Sequence, residues 1–480
     1  MTTAMMTDLE LMRTRVSSAI GHHLPGHVER LDWDAGRLAA YQRDRLRAVL
    51  ARAIARSPFH AARLRGVDPD RFELADLARL PVMTKAEMMA DFDAVPTDRR
   101  LTRDLLERHL ARSVTDPSLL LGGYIGLVSG GTTGQRGLFV QAVGEYAQFV
   151  ASVMRRAIAA AQAGPGGLPP EGLVIGIVGA GTAVHSSGLA AATATRPPVR
   201  MVPAPASLPV AEIVARLNAA QPPALLAYAT KLPELVREQQ AGRLRLNLRS
   251  VTSMSEAIAP AERAAVTESF GVPVIDMFVS TEGLVGHSEP GGTVLTFASD
   301  TCLAECVDDQ DQPVPDGVPS AKVLVTNLHN LTQPLIRYEL TDRFTPAGTS
   351  AGGALRASVE GRTDDMFRYP DASVHPFVLG APLLHDGAVR EYQIRQTERG
   401  ADIAAVIDGD FDPAAVMAAV ERSLREAGLA GPQVRLRRVV KLDRDPMTSK
   451  IRRFVPLPAP RLAEPAAPPG PAGDQRRAAR

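Results

Sequence analysis

From Asp32 to Ala111 apolar positions recur with a helical period, and Leu46, Val49, Leu50, Ala53 and Ile54 fall on one face. The spacing predicts an amphipathic helical entry region over about residues 1–115. Beyond it the pattern changes. Leu173–Val178 is a short apolar run before a Gly-rich turn, Val210–Ala220 has a helical period, and Ala224–Tyr228 reads as a buried strand. Such alternation predicts α/β layers with substantial parallel sheet. Between Thr293 and Val325 the segments Thr301–Val307 and Lys322–Thr326 alternate in period two around the polar stretch Asp308–Pro319, which predicts an antiparallel ribbon or small barrel. After Gly361 a remainder of about 90 residues carries a helix over Pro413–Ala427 and a strand over Val434–Lys441, enough for a small α+β unit. Val455–Arg480 is rich in Pro and Ala without an apolar period and is expected to be a disordered tail.

Composition narrows the partners. In 480 residues, 54 Lys and Arg face 53 Asp and Glu, a formal charge of +1, so no net field recruits nucleic acid or an anionic membrane. A small-molecule partner is expected. The two cysteines, Cys302 and Cys306, exclude a disulfide framework, fit a reducing compartment and are read as buried thiols. The longest markedly apolar run, Gly172–Gly181, is about ten residues, against roughly 20 for a spanning helix, and Met1–Arg13 lacks the pattern of a secretory signal. The expected location is cytoplasmic.

The strongest local signal is the run Ser129, Gly130, Gly131, Thr132, Thr133, Gly134, Gln135, Arg136, Gly137. Glycines permit tight turns and close approach of main-chain N–H groups, and three hydroxyls add donors, so such a loop can wrap a polyphosphate. Gly/Ser/Thr clusters are, however, mostly ordinary loops. The run is neither a Walker loop nor a spaced dinucleotide fingerprint. More telling are four further motifs downstream, in order: Phe278–Gly283 containing Thr281 and Glu282, Arg337–Asp342, Gly361–Asp365, and Pro446–Arg453 containing Lys450.

Together these motifs resemble the adenylate-forming superfamily of acyl-CoA synthetases, adenylation domains and luciferases. The phrases Pro334–Tyr338 and Gly361–Asp365 are similar to its phenylacetate-CoA ligase branch. The resemblance covers roughly Leu127–Phe454. It implies an α/β fold with a large multi-layer N-terminal domain (1–363) containing parallel sheets and a small β-barrel-like part. A small mobile α+β C-terminal domain (364–454) and the tail (455–480) would come after it. It also implies ATP, magnesium and CoA as cofactors, a homodimer, and an aryl or arylalkanoic acid as substrate. By the same resemblance Ser129–Gly134 holds the β and γ phosphates, Thr281 bonds the α-phosphate and Glu282 holds magnesium. Ser255 and Glu256 lie in the adenine turn, Asp342 accepts the ribose hydroxyls, Arg362 supports ribose and α-phosphate, and Asp364 is the hinge. Lys450 enters with the small domain to neutralise charge between carboxylate and α-phosphate, and His185 orients the carboxylate; a lone His is otherwise often a structural residue.

The chain departs from that pattern in three places. Arg136 and Gly137 stand where the loop usually continues with Pro and Lys or Thr, leaving Arg136 as the candidate positive charge. Ser449 replaces the usual Gly before Lys450. The stretch Tyr369–Pro376 has no glycine and carries bulky groups where relatives form the pantetheine tunnel, which is expected to disfavour thiolation by CoA. The competing readings are therefore an acid-CoA ligase, an adenylating enzyme delivering its acyl group to a carrier-protein thiol or an amine, and a binding protein that has lost adenylation.

Overall fold

The computed structural model describes residues 7–129, 137–255, 258–362, 366–370, 372–374, 379–380, 382–383, 388–445 and 451–457. Its first helix, Asp8–Glu29, starts where the Thr7 hydroxyl accepts from Glu10 N at 3.2 Å. Met12, Val16, Ile20 and Leu24 bury one face along the helix Val143–Ala163. The next helix, Ala35–Arg56, buries Leu46, Val49, Leu50 and Ala53, as the apolar period predicts, in a satellite core with Leu328 and Ile336. No helix among the described residues is long and apolar enough to cross a membrane.

A ten-stranded sheet forms the centre of the larger part. Val274–Val279, Ser250–Met254, Ala224–Tyr228, Leu173–Val178 and Val199–Pro203 lie side by side in parallel. Helices Val210–Ala220, Leu232–Gln240 and Pro260–Phe270 make the returns between them. Antiparallel strands extend the sheet on the far side: Val285–Ser288, Leu295–Phe297, Leu355–Arg362 and Asp342–Thr349. Cys302–Val307, Lys322–Asn327 and Tyr338–Leu340 form a separate three-stranded antiparallel sheet. In it Cys302 and Cys306 are buried free thiols. The fold class is therefore α/β with mixed sheet, as the alternating pattern implied.

The C-terminal residues bury a core of their own. Gln433–Arg438, Gly400–Ile407, Val389–Thr397 and Phe454–Val455 form a four-stranded sheet, on which the helix Pro413–Glu426 packs Val416, Val420 and Leu424. The strand expected over Val434–Lys441 ends at Arg438, because the chain leaves the sheet and exposes Val440 at 95%. Order continues into the stretch expected as tail. Val455 pairs with Arg395, and Leu457 N donates to Gln396 Oε1 at 3.1 Å.

Candidate active site

The carboxyl ends of the parallel strands open into a cavity of about 780 Å³, the usual place for a ligand in an open α/β sheet. Ser129, His185, Ser255, Thr281, Glu282, Asp342 and Arg362, read from separate motifs, all line it. Asp445 and Ile451–Phe454, on either side of Lys450 in sequence, line it too. Gly130, Gly131, Thr132, Thr133, Gly134, Arg136, Glu256, Asp364 and Lys450 lie outside the described residues.

Local chemistry explains each placement. The hairpin Tyr124–Val128/Leu138–Ala142 carries the glycine-rich run at its tip, and its ends are tied where Ser129 Oγ accepts from Gly137 N at 3.1 Å. A Cβ on Gly137 would fall 2.8 Å from the Phe139 ring and 2.9 Å from Ser129 Oγ, so the departure at this position has a packing reason. The turn after Val279 is closed by Gly283 N donating to Ser280 O at 3.1 Å. Gly283 has φ +106, and a Cβ there would meet Asn327 Nδ2 at 2.2 Å. Asn327 uses that amide to hold the Glu282 carbonyl at 2.8 Å. Thr281 and Glu282 are thereby fixed at the cavity, 8% and 6% exposed.

Asp342 and Arg362, twenty positions apart, face each other across one rung of an antiparallel ladder. Arg362 Nη1 lies 3.8 Å from Asp342 Oδ2, and its Nη2 donates to Thr341 Oγ1 at 2.8 Å. Ser255 adopts φ +72, a left-handed conformation uncommon for a side-chain-bearing residue, at the turn after Met254. His185 caps the helix Ser186–Thr193: its Nδ1 accepts from Ser187 N at 3.3 Å and lies 3.0 Å from Ser187 Oγ. One ring nitrogen is thus committed to the fold.

Burial pushes the Glu282 carboxyl above the usual range. Lys85 and Arg362 oppose that shift and Asp342 reinforces it. Lys85 is one of several wall residues that motif reading missed. The backbone of Met83 is laced to the Arg337–Glu339 strand, with Met83 N donating to Arg337 O and Glu339 N to Met83 O, both at 2.9 Å. Thr84 and Glu87 then form a capping box that starts a helix at Lys85. Sequence shows the capping box but not the lacing that brings it to the cavity. Asp276 and Arg263 also line the wall. Arg263 Nη2 donates a short hydrogen bond to Asp276 Oδ2, while Oδ1 is buried with no hydrogen-bond partner among the described residues. Ser253 Oγ and Tyr338 Oη are in the same state. Buried polar atoms are ordinarily paired, so these three stand out beneath the cavity wall.

Of the stretch Tyr369–Pro376, expected to disfavour thiolation, a part lies among the described residues. Tyr369 is buried in the C-terminal core, its hydroxyl donating to Gly400 O at 2.8 Å and its N–H to Ala372 O at 2.7 Å. Asp371 and His375–Pro376 lie outside the described residues.

No protein-family model matches the chain, and no curated protein matches it. Many solved structures do. The likeness is one of fold. The chain is similar to 2-hydroxyisobutyryl-CoA ligase in complex with 2-HIB-AMP in the postadenylation state, with TM-score 0.65, 19% identity, and 88% of this chain and 90% of that chain covered. The same enzyme with 2-HIB-AMP and CoA in the thioesterification state gives TM-score 0.55 at 20% identity over the same shares. An ATP-bound RpMatB-BxBclM chimera gives 0.51 at 15%, covering 68% of this chain and 65% of that one.

Proposed function

We propose that the chain activates a carboxylic acid with ATP and passes the acyl group to the thiol of CoA. The observation that carries this reading is the convergence of Ser129, His185, Ser255, Thr281, Glu282, Asp342 and Arg362 on one cavity. A carboxylate oxygen attacks the α-phosphorus of ATP, the bond to the bridging oxygen breaks and pyrophosphate leaves. The CoA sulfur then attacks the acyl carbon and AMP leaves. This chemistry depends on positioning and charge neutralisation.

Arg362 and Thr281 would face the α-phosphate, and Asp342 the ribose hydroxyls. Ser129 begins the run Gly130–Gly134 with Arg136 that would hold the outer phosphates. Ser255 and Glu256 would border the base. The donor set fits magnesium at Glu282: a buried carboxyl whose charged form is disfavoured alone suits a cation that takes one or two carboxylates plus phosphate oxygens. When bound, magnesium would neutralise phosphate charge. Lys450 would act from a small domain, 364–454, that closes about Asp364; its flanks Asp445 and Ile451 line the cavity. An aryl or arylalkanoic acid, a phenylacetate-CoA ligase-like subtype, a homodimer and a cytoplasmic setting complete the proposal.

Incubation with ATP, magnesium and aryl acids, with and without CoA, tests it. Acyl-CoA with AMP and pyrophosphate is the expected outcome. Adenylate indifferent to CoA would move the acceptor to a carrier or amine, and no pyrophosphate with any acceptor would reject the reading. Lys450→Ala should abolish pyrophosphate release while ATP binding persists.

A further inference from the structure

The cavity has one wall that the nucleotide chemistry does not use. Met154 comes from the helix Val143–Ala163, and Met201, Met254 and Met277 from three strands of the parallel sheet. All four line the cavity with 3% to 7% of their surface exposed, and Phe149, Val150, Val153, Ile177 and Leu226 line it with them. The elements carrying these methionines place no charged side chain in the wall except Asp276, which Arg263 pairs. A thioether side chain turns about three bonds and is polarizable, so the methionines can repack around ligands of different shape while the stiffer Val150, Val153 and Ile177 stay in place. One of the four is held in a defined place. A Cβ added to Gly179 would come 2.9 Å from the Met254 methyl and 3.4 Å from Ser187 Oγ. The methyl therefore rests against the bare glycine backbone.

We infer that this wall makes the acyl site a pocket for uncharged, apolar monocarboxylic acids of varied shape, aryl and alkyl alike, with Met254 seated against Gly179 setting the depth available to them. The inference rests on the acid-activating reading for its use, but binding of the acid can be measured without it. Gly179→Ala would drive the Met254 methyl into the cavity. Ala at 254 on top of that change would restore the space.

The full chain is tested with benzoate, phenylacetate, hexanoate and glutarate, reading both calorimetric affinity and ATP-dependent pyrophosphate release. The three monoacids should fall within about tenfold of one another, below the roughly 10–200-fold that one methylene carries in a rigid apolar pocket, because thioether side chains repack around each; glutarate should fall about a hundredfold or more below them, since its second carboxylate finds no partner in the wall. Gly179→Ala should weaken phenylacetate and hexanoate about tenfold, and benzoate less. Gly179→Ala combined with Met254→Ala should recover both, which a misfolded variant would not. Exclusive preference for one acid, tight binding of glutarate, binding of no acid, or failure of the double variant to recover would overturn the inference. Acids that bind in the expected order without pyrophosphate release would support it and reject the activation chemistry instead.

Discussion

Two carboxyl groups are buried almost equally in this molecule and meet opposite fates. Asp300, 4% exposed, accepts from Arg30 Nε at 2.7 Å and Arg155 Nη1 at 2.8 Å. Burial alone would raise its pKa, but Arg155 and Arg30 together hold it below the ordinary value. Glu282, 6% exposed, lies near Lys85 and Arg362 without a comparable ion pair among the described residues, and burial wins. The first acid belongs to a network that ties the N-terminal helices to the sheet. The second is a carboxyl whose charged form its place at the cavity disfavours, an arrangement found at functional sites. Burial alone therefore does not mark a site; what matters is whether the chain itself answers the charge.

Asp300→Ala breaks the first half of this contrast and should do the most damage. It leaves two buried guanidinium groups without their common anion, and should cost about 3–5 kcal/mol of stability in urea unfolding. ATP affinity of the folded fraction should stay near wild type. A loss of affinity with unchanged stability would place Asp300 in the site rather than the scaffold.

Glu282→Gln breaks the second half in the opposite sense. It should lower pyrophosphate release by about 10²–10³-fold, the scale of losing one electrostatic partner of the reacting groups. Stability should rise. Because the folded pKa of Glu282 is raised, its contribution is fully present below the unfolded value of 4.5 and is lost as pH climbs through the folded value. The variant should therefore be the more stable protein at neutral pH, with the advantage vanishing below about pH 4.5. A uniformly destabilised variant would contradict the reading.

The Asp300 network also has a pH signature. His27 and His329, their ring centroids 6.1 Å apart, sit beside Arg30, Arg155, Arg45 and Asp300. Burial first, then the arginines, lowers them to about 2 and about 3, with Asp300 the opposing charge. Depressed folded pKa values mean the unfolded chain takes up protons first. Stability should fall as pH drops below 6.5, by up to about 1.4 kcal/mol per pH unit for each histidine. His329→Phe should flatten that slope by one histidine's share in urea titrations between pH 6.5 and 4.5.

Much of this scaffold was legible in the chain. Leu173–Val178, Ala224–Tyr228 and Val210–Ala220 have the bounds their apolar patterns predict, because local period and turn residues decide them. The site residues were legible as motifs, but their company was not. Asp342 meets Arg362 through a strand register that includes a bulge at Arg343/Phe344. The methionine wall draws on segments more than a hundred residues apart, and Tyr369, bulky in sequence, turns into the C-terminal core. Long-range pairing fixes these, and no local signal encodes it.

Lys85 gives the smallest and most diagnostic prediction, because it joins the two sides of the comparison: a cation supplied by the N-terminal region and felt by the cavity's acid. Lys85→Met keeps the aliphatic stem and removes the charge. If Lys85 faces the phosphates, KM for ATP should rise about fivefold, roughly 1 kcal/mol, with kcat changing less. Lys85 also lowers the Glu282 pKa, so its loss should carry the acid limb of kcat/KM for ATP to higher pH. Lys85→Arg should restore the position of that limb. A raised KM with an unmoved limb would confine Lys85 to phosphate contact, whereas a moved limb with unchanged KM would make it a tuner of Glu282 alone.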